Sequence, residues 1–257
     1  MKFAALQKSI IILGSCFIPR ASVRKQWRET HLSKLNSSKV CVDLGLGNSL
    51  FIVDKNGVRH KVDEILGLRV VFQGSNSVVE VCKPYKFVNC VLYVGNNSVV
   101  SIDSTEFAIK SLSVTGMNNA KLLIGKNFSC YGCHIENHDE TGLDVKIGDD
   151  CQFSYGIHIR TSDGHAIYDD NTKELLNGPK VGVTIGNHVW VGMNAIILKD
   201  VSIADNVVVG AGALICKSCE ERNVIFAGVP AKIIKRGVNW DRRNTEQIKH
   251  DNNLASV

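Results

Sequence analysis

Between Val183 and Ser218 a branched aliphatic residue returns at every sixth position, at Ile185, Val191, Ile197, Ile203, Val209 and Ile215, and Gly, Ala, Asn or Asp fills much of the space between. An amphipathic helix repeats near 3.6 residues and a half-buried strand near 2, so neither period accounts for the run. A period of six fits a solenoid whose sides are very short strands joined by tight turns, each side sending one aliphatic side chain inward. The small residues are the turns, because Gly, Asn and Asp accept the left-handed backbone that a corner needs.

Looser copies lie upstream: GSNSVVEV from Gly74, GNNSVVSI from Gly95, IGKNFSCYG from Ile124 and IGDDCQFSYG from Ile147. Ile185 to Ile203 spans 18 residues, one coil of three sides, whereas Gly74 to Gly95 spans 21, so the earlier coils carry short insertions. A β-sandwich with Gly-rich turns fits less well, since its strands are longer and alternate more evenly.

The chain of 257 residues is therefore expected to form one all-β solenoid over residues 41–236, with irregular early coils over 41–122, regular coils over 123–236 and a loop excursion over 160–183. A basic segment, 1–40, precedes it and a polar tail, 237–257, follows as a cap or a disordered end. Nine cysteines show no disulfide framework; the CxxC pairs Cys130/Cys133 and Cys216/Cys219 have zinc or redox chemistry as one reading, but both fall within repeats, where Cys reads better as a small buried filler in a reducing compartment.

The net charge of +5 is unevenly spread, because residues 1–40 hold 8 Lys/Arg and only one acid, leaving 22 bases against 24 acids in the rest. A basic solenoid face for nucleic acid is not supported. Phe3 to Ile18 is apolar but interrupted by Gln7, Lys8 and Ser9, too short a run for a transmembrane helix; a signal peptide is the alternative reading. Residues 19–35, PRASVRKQWRETHLSKL, read as a short basic helix with Arg20, Arg24 and Arg28 on one stripe, suited to peripheral contact with an anionic membrane or to packing on a neighbouring subunit.

Two stretches depart from the rhythm. GCHIENHDETG puts His134, Asn137, His138, Asp139 and Glu140 within seven residues, where a plain solenoid needs only a corner. His134 and His138 have metal-like spacing, but no metal is expected, and the stretch reads better as the rim of an acceptor site, with Asn137 as its substrate-binding candidate. After Ile159 the period stops for over twenty residues, RTSDGHAIYDDNTKELLNGPK, and then resumes; long loops that interrupt regular scaffolds are commonly functional. Arg160 and Ser162 at its start are further substrate-binding candidates.

The tract IRTSDGHAIYD, followed by IGNHVWVG and AGVPAKIIKR, resembles the hexapeptide-repeat acyltransferases, and most of all the branch that O-acetylates capsular, O-antigen and related polysaccharides. The resemblance covers about residues 70–236. It implies a left-handed parallel β-helix, although parallel crossovers are normally right-handed. It implies acetyl-CoA as acyl donor, a sugar hydroxyl of a surface polysaccharide or its precursor as acceptor, a homotrimer with one site in each subunit groove, and a cytoplasmic location.

The resemblance also places the catalytic base at His165. Neutral imidazole suits removal of a hydroxyl proton, worth about 10² to 10⁴ in rate. Asp163 is the candidate to orient it, and Trp190 the candidate wall of the reaction site, with a backbone N–H there for the oxyanion. The pantetheine arm needs corners almost without side chains, which Gly192, Ala195, Gly210 and Ala211 offer. Lys217 and Lys232 can hold the adenosine phosphates, and Pro230 belongs to the closing AGVPAK turn. Other acceptors, such as an amino sugar, serine or a xenobiotic, a solenoid resembling the γ-class carbonic anhydrases, and a non-catalytic solenoid partner are the alternatives.

Overall fold

A computed structural model describes residues 41–43, 45–137 and 141–252. The basic segment 1–40, with its expected helix at 19–35, and His138, Asp139 and Glu140 lie outside the described residues.

The chain winds as a parallel β-helix of three eight-stranded sheets. The first sheet runs from Cys41–Asp43 to Leu214–Ile215, the second holds Ser49–Val53 through Ser202–Ile203, and the third holds Phe87–Val88 through Val224–Gly228. Each strand pairs in parallel with its counterpart one coil away, as where Ile135 meets Ile159, Ile159 meets Ile197 and Ile197 meets Ile215. Strands of opposite direction close two edges: Arg59–Lys61 lies antiparallel on Ser49–Val53, and Ala231–Arg236 lies antiparallel on Val224–Gly228.

The sixfold aliphatics point into the core as expected, but each side buries a second residue two positions earlier. Val183, Val189, Ala195, Val201, Val207 and Ala213 are buried beside Ile185, Val191, Ile197, Ile203, Val209 and Ile215. Larger coils upstream use rings for the same purpose, Phe128 and Phe153 meeting edge to face at 5.1 Å. Cys130, Cys133 and Cys151 are free, buried members of that core, and burial pushes the Cys130 and Cys151 thiols up to about 12.

The IG-Asn/Asp motif has a specific cause at the corner between the second and third sheets. There the side chain of each Asn or Asp accepts a backbone N–H from the preceding coil: Lys126 N–H donates to Asp149 Oδ1 at 2.7 Å, Asp149 N–H to Asn187 Oδ1 at 2.8 Å, and Asn187 N–H to Asp205 Oδ1 at 2.7 Å. The acceptor occupies the space a Cβ would need, since a methyl on Gly148 would lie 2.5 Å from Asn187 Oδ1 and one on Gly186 2.4 Å from Asp205 Oδ1. The next residue turns the corner in the left-handed region: Asn127, Asp150, His188, Asn206 and Asn223 have φ of 56°, 54°, 52°, 57° and 59°.

The described part of the tail, up to residue 252, begins against the solenoid. Trp240 is buried, and a helix, Thr245–Asn252, follows. Asn244 caps it reciprocally: its Oδ1 accepts the Gln247 N–H at 2.9 Å while Gln247 Oε1 accepts the Asn244 N–H at 3.0 Å.

Candidate active site

The excursion leaves the corner between the strands Ile157–Arg160 of the first sheet and Val183–Ile185 of the second. It folds as a hairpin-like arm, in which Leu176 N–H donates to the Ile167 carbonyl at 2.7 Å and Asp169 N–H to the Glu174 carbonyl at 2.9 Å. Two consecutive residues of the next coil pin its two ends. Lys199 Nζ donates to Asp163 Oδ2 at the start, and Asp200 Oδ1 accepts the N–H groups of Lys180 and Val181, at 2.9 and 2.7 Å, at the return.

His165 stands at the root of this arm with its imidazole exposed and without a hydrogen-bond partner among the described residues. Its backbone is held instead. Asn177 Nδ2 donates both to Asp163 Oδ2 at 2.8 Å and to the His165 carbonyl at 2.9 Å, and its Oδ1 accepts the Ile167 N–H at 2.7 Å. Asp163 therefore does not orient the ring directly, as the sequence suggested; it fixes the chain around it through Asn177. The Lys199 ammonium hydrogen-bonded to Asp163 holds that carboxyl below the usual carboxylate range, and Asn177 acts in the same direction.

Trp190 opens the strand Trp190–Val191 of the third sheet, faces outward in line with Gln152 and Val208, and is 39% exposed. The arm of His165 springs from the corner before the second sheet, whereas Trp190 lies beyond the corner after it. Within one chain the two occupy different edges of the prism.

Gly192, Gly210 and Ala211 share the corner that follows the third sheet, and Pro230 turns the final hairpin at the same edge. Gly192 is required by the stacking itself, since a Cβ there would lie 2.6 Å from the Ala211 nitrogen. Ala195 is not on that corner's surface: its methyl is one of the inward residues and is buried, a correction to its expected place along the donor. Lys217 is exposed at the corner from which the His165 arm leaves, across the first sheet from Pro230 and exposed Lys232.

The acceptor candidates separate. Asn137 is buried, its Nδ2 donating to the Leu143 carbonyl at 2.8 Å and its Oδ1 accepting from Thr161 Oγ1 at 2.5 Å, so it secures a corner. Ser162, next in the chain after Thr161, is buried as well. Arg160 stays half exposed on the outer face of the first sheet, where Glu136 bridges it at 3.0 Å to His134 at 2.9 Å. His134 is thus engaged by a carboxylate, and among the described residues no group of three His, Cys, Asp or Glu could hold a metal.

Sequence reasoning missed Lys199 and Asn177, and it missed the partners of Trp240 and Arg242 in the tail. Nothing in the sequence ties Lys199 or Asn177 to the arm's root, since Lys199 meets Asp163 from 36 residues away and Asn177 from 14.

The family described as bacterial transferase hexapeptide (six repeats) matches residues 182–217. The polysialic acid O-acetyltransferase of Neisseria meningitidis is 34% identical over 182 residues, 63% of this chain and 80% of that protein. Among solved structures, the polysialic acid O-acetyltransferase OatWY superposes with a TM-score of 0.69 at 28% identity, over 82% of this chain and 95% of the other. The polySia-specific acetyltransferase NeuO gives 0.66 at 29% identity, over 82% and 92%. No described helix is long and apolar enough to cross a membrane.

Proposed function

Because the chain belongs to the hexapeptide-repeat O-acetyltransferases and has their left-handed parallel β-helix, we propose that it moves the acetyl group of acetyl-CoA onto a sugar hydroxyl of an anionic capsule polysaccharide, with His165 as the base. The observation that carries this reading is the bare imidazole of His165 at the root of an arm whose backbone is fixed by Asn177, Asp163 and Lys199.

A thioester is already activated, so no covalent enzyme intermediate is needed. His165 takes the proton of the acceptor hydroxyl, the oxygen attacks the thioester carbonyl, the C–S bond breaks, and the imidazolium returns the proton to the departing thiolate. Holding both substrates together contributes on the order of 7 to 11 kcal/mol in favourable model systems. Gly192, Gly210 and Ala211 leave room for the pantetheine arm between the exposed Met193 and Val229 because they project little or no side chain, and Lys217 and Lys232 are free of ion pairs among the described residues for use on phosphates. Trp190 walls the reaction site.

Since His165 and Trp190 occupy different edges of one chain, a groove that uses both is built from two copies, as in a homotrimer with one site per interface. Relatives of this chain are named for polysialic acid, which makes an acidic glycan the first acceptor to try.

The test is release of free thiol from acetyl-CoA in the presence of acidic and neutral glycans, polysialic acid among them. Acceptor-dependent release is expected with an acidic glycan, and it should fall at least about a hundredfold in His165→Ala while coenzyme binding stays intact. Full activity of that variant would remove His165 as base, and release indifferent to every glycan would remove the polysaccharide acceptor.

A further inference from the structure

The C-terminal segment runs back along the corner between the second and third sheets and spans three coils. Arg242 supplies the grip. Its guanidinium donates to Asp150 Oδ1 at 2.9 Å, to Ser129 Oγ at 2.8 Å, and to the carbonyls of Asn127 and Cys151 at 2.8 and 3.1 Å. Its carbon lies 4.1 Å from the centre of the Phe107 ring. A planar fork with its donors spent on several partners is a fixed anchor, which a lysine could not reproduce.

One coil nearer the chain's end, Trp240 is 8% exposed. Its ring stacks on His188 at 4.3 Å and lies 6.1 Å from that of Trp190, and its Nε1 donates to the His188 carbonyl at 2.8 Å. His188 answers from its own side chain, Nδ1 lying 2.6 Å from Asp150 Oδ2 and Nε2 3.1 Å from the Trp240 carbonyl oxygen. Each ring nitrogen thus faces one oxygen, the first on the corner of the preceding coil and the second on the tail. The corner itself does not demand histidine, because Asn127, Asp150, Asn206 and Asn223 fill the same left-handed slot in other coils. What histidine adds there is reach to the tail.

We propose that residues 238–243 form a strap that positions the Trp190 wall of the acyl-transfer groove, with Trp240 as the positioning residue and His188 and Arg242 as its anchors. The proposal rests on the reading above, in which Trp190 lines that groove. Trp190 stands on a two-residue strand and is open to solvent on its outer side, so the neighbouring indole restricts the rotamers available to it. Loss of that neighbour frees the ring without touching either substrate.

The full chain is assayed as Trp240→Ala, Trp240→Phe, Arg242→Gln and Trp190→Ala, with the far-ultraviolet exciton couplet of the paired indoles read in the wild type and in Arg242→Gln. A misplacement of this kind should lower kcat about tenfold in Trp240→Ala and Arg242→Gln, with KM for acetyl-CoA within about twofold. Trp240→Phe should recover to within about threefold of wild type, because an aromatic face remains for Trp190, and Arg242→Gln should lose the couplet. An unchanged kcat in Arg242→Gln after loss of the couplet overturns the strap even if Trp240→Ala fails to fold. If Trp190→Ala keeps full kcat, the groove reading itself falls; if only Trp190→Ala is impaired, that reading stands and the strap falls.

Discussion

Lys199 and Asp163 form an ion pair across 36 residues of sequence, joining the first turn of the His165 arm to the coil that follows it. The arm is therefore fixed at its root by the scaffold, while the hairpin beyond it remains at the surface. His165 is thus held by its backbone and left free at its ring.

Lys199→Met should separate these roles. The pair is partly exposed, so its removal costs only about 0–1 kcal/mol of stability. Turnover should drop about tenfold as the His165 backbone loosens. Equal thermal midpoints with a reduced kcat are the expected outcome, and equal kcat would show that Asn177 alone suffices.

Acid should act on the same point. The carboxyl of Asp163 is depressed chiefly by its hydrogen bond from Lys199, so its contribution is present above the ordinary carboxylate range, about 4, and is lost as the pH falls through its lowered value. Protection against hydrogen exchange at 163–167, taken relative to the intrinsic rate at each pH, should therefore fall on acidification, and Asp163→Asn should remove that fall.

Glycines of the stacked corners should differ sharply among themselves. Gly186→Ala would set a methyl 2.4 Å from Asp205 Oδ1 and 2.7 Å from its nitrogen, an overpacking worth about 1–3 kcal/mol. Gly132→Ala meets nothing closer than 3.4 Å and should fall within about 0.5 kcal/mol of wild type. Urea unfolding of the two variants measures the contrast.

Thiol chemistry gives an independent check on the core. In a Cys16→Ser background, a thiol reagent should modify exposed Cys216 first, while Cys130 and Cys151, whose thiols burial pushes up to about 12, should react only on unfolding. Rapid labelling of Cys130 would contradict the inward packing.

The sequence made the solenoid legible because each coil repeats one local requirement: an aliphatic residue inward, then Gly, then Asn or Asp at the corner. The meaning of the Gly was less accessible, since it depends on an Asn or Asp one coil away, as Gly148 does on Asn187. Within the candidate site, the break in the period marked the arm, and the family resemblance singled out His165 in it. Asp163 stood two residues away and suggested contact with the ring, yet its strongest partner is Lys199, which no spacing rule connects to it. The placement of Ala195 could not be read from its small size, because the second inward position of each side also takes alanine, as at Ala213. The tail was least legible of all. Arg242 finds its acceptors 90 or more residues upstream, so the tail's polar composition could not decide between a cap and a disordered end.

The two strands of opposite direction at the ends of the solenoid have a consequence for the protein in a crowded solution. A stack of identical rungs offers the next molecule a template of the same polarity, and head-to-tail addition would propagate into filaments. Arg59–Lys61 at one end and Ala231–Arg236 at the other put a reversed, cation-bearing strand on one of the three sheet edges at each end. At those two edges a second copy meets a strand of the wrong polarity, and in-register growth along the axis is discouraged there.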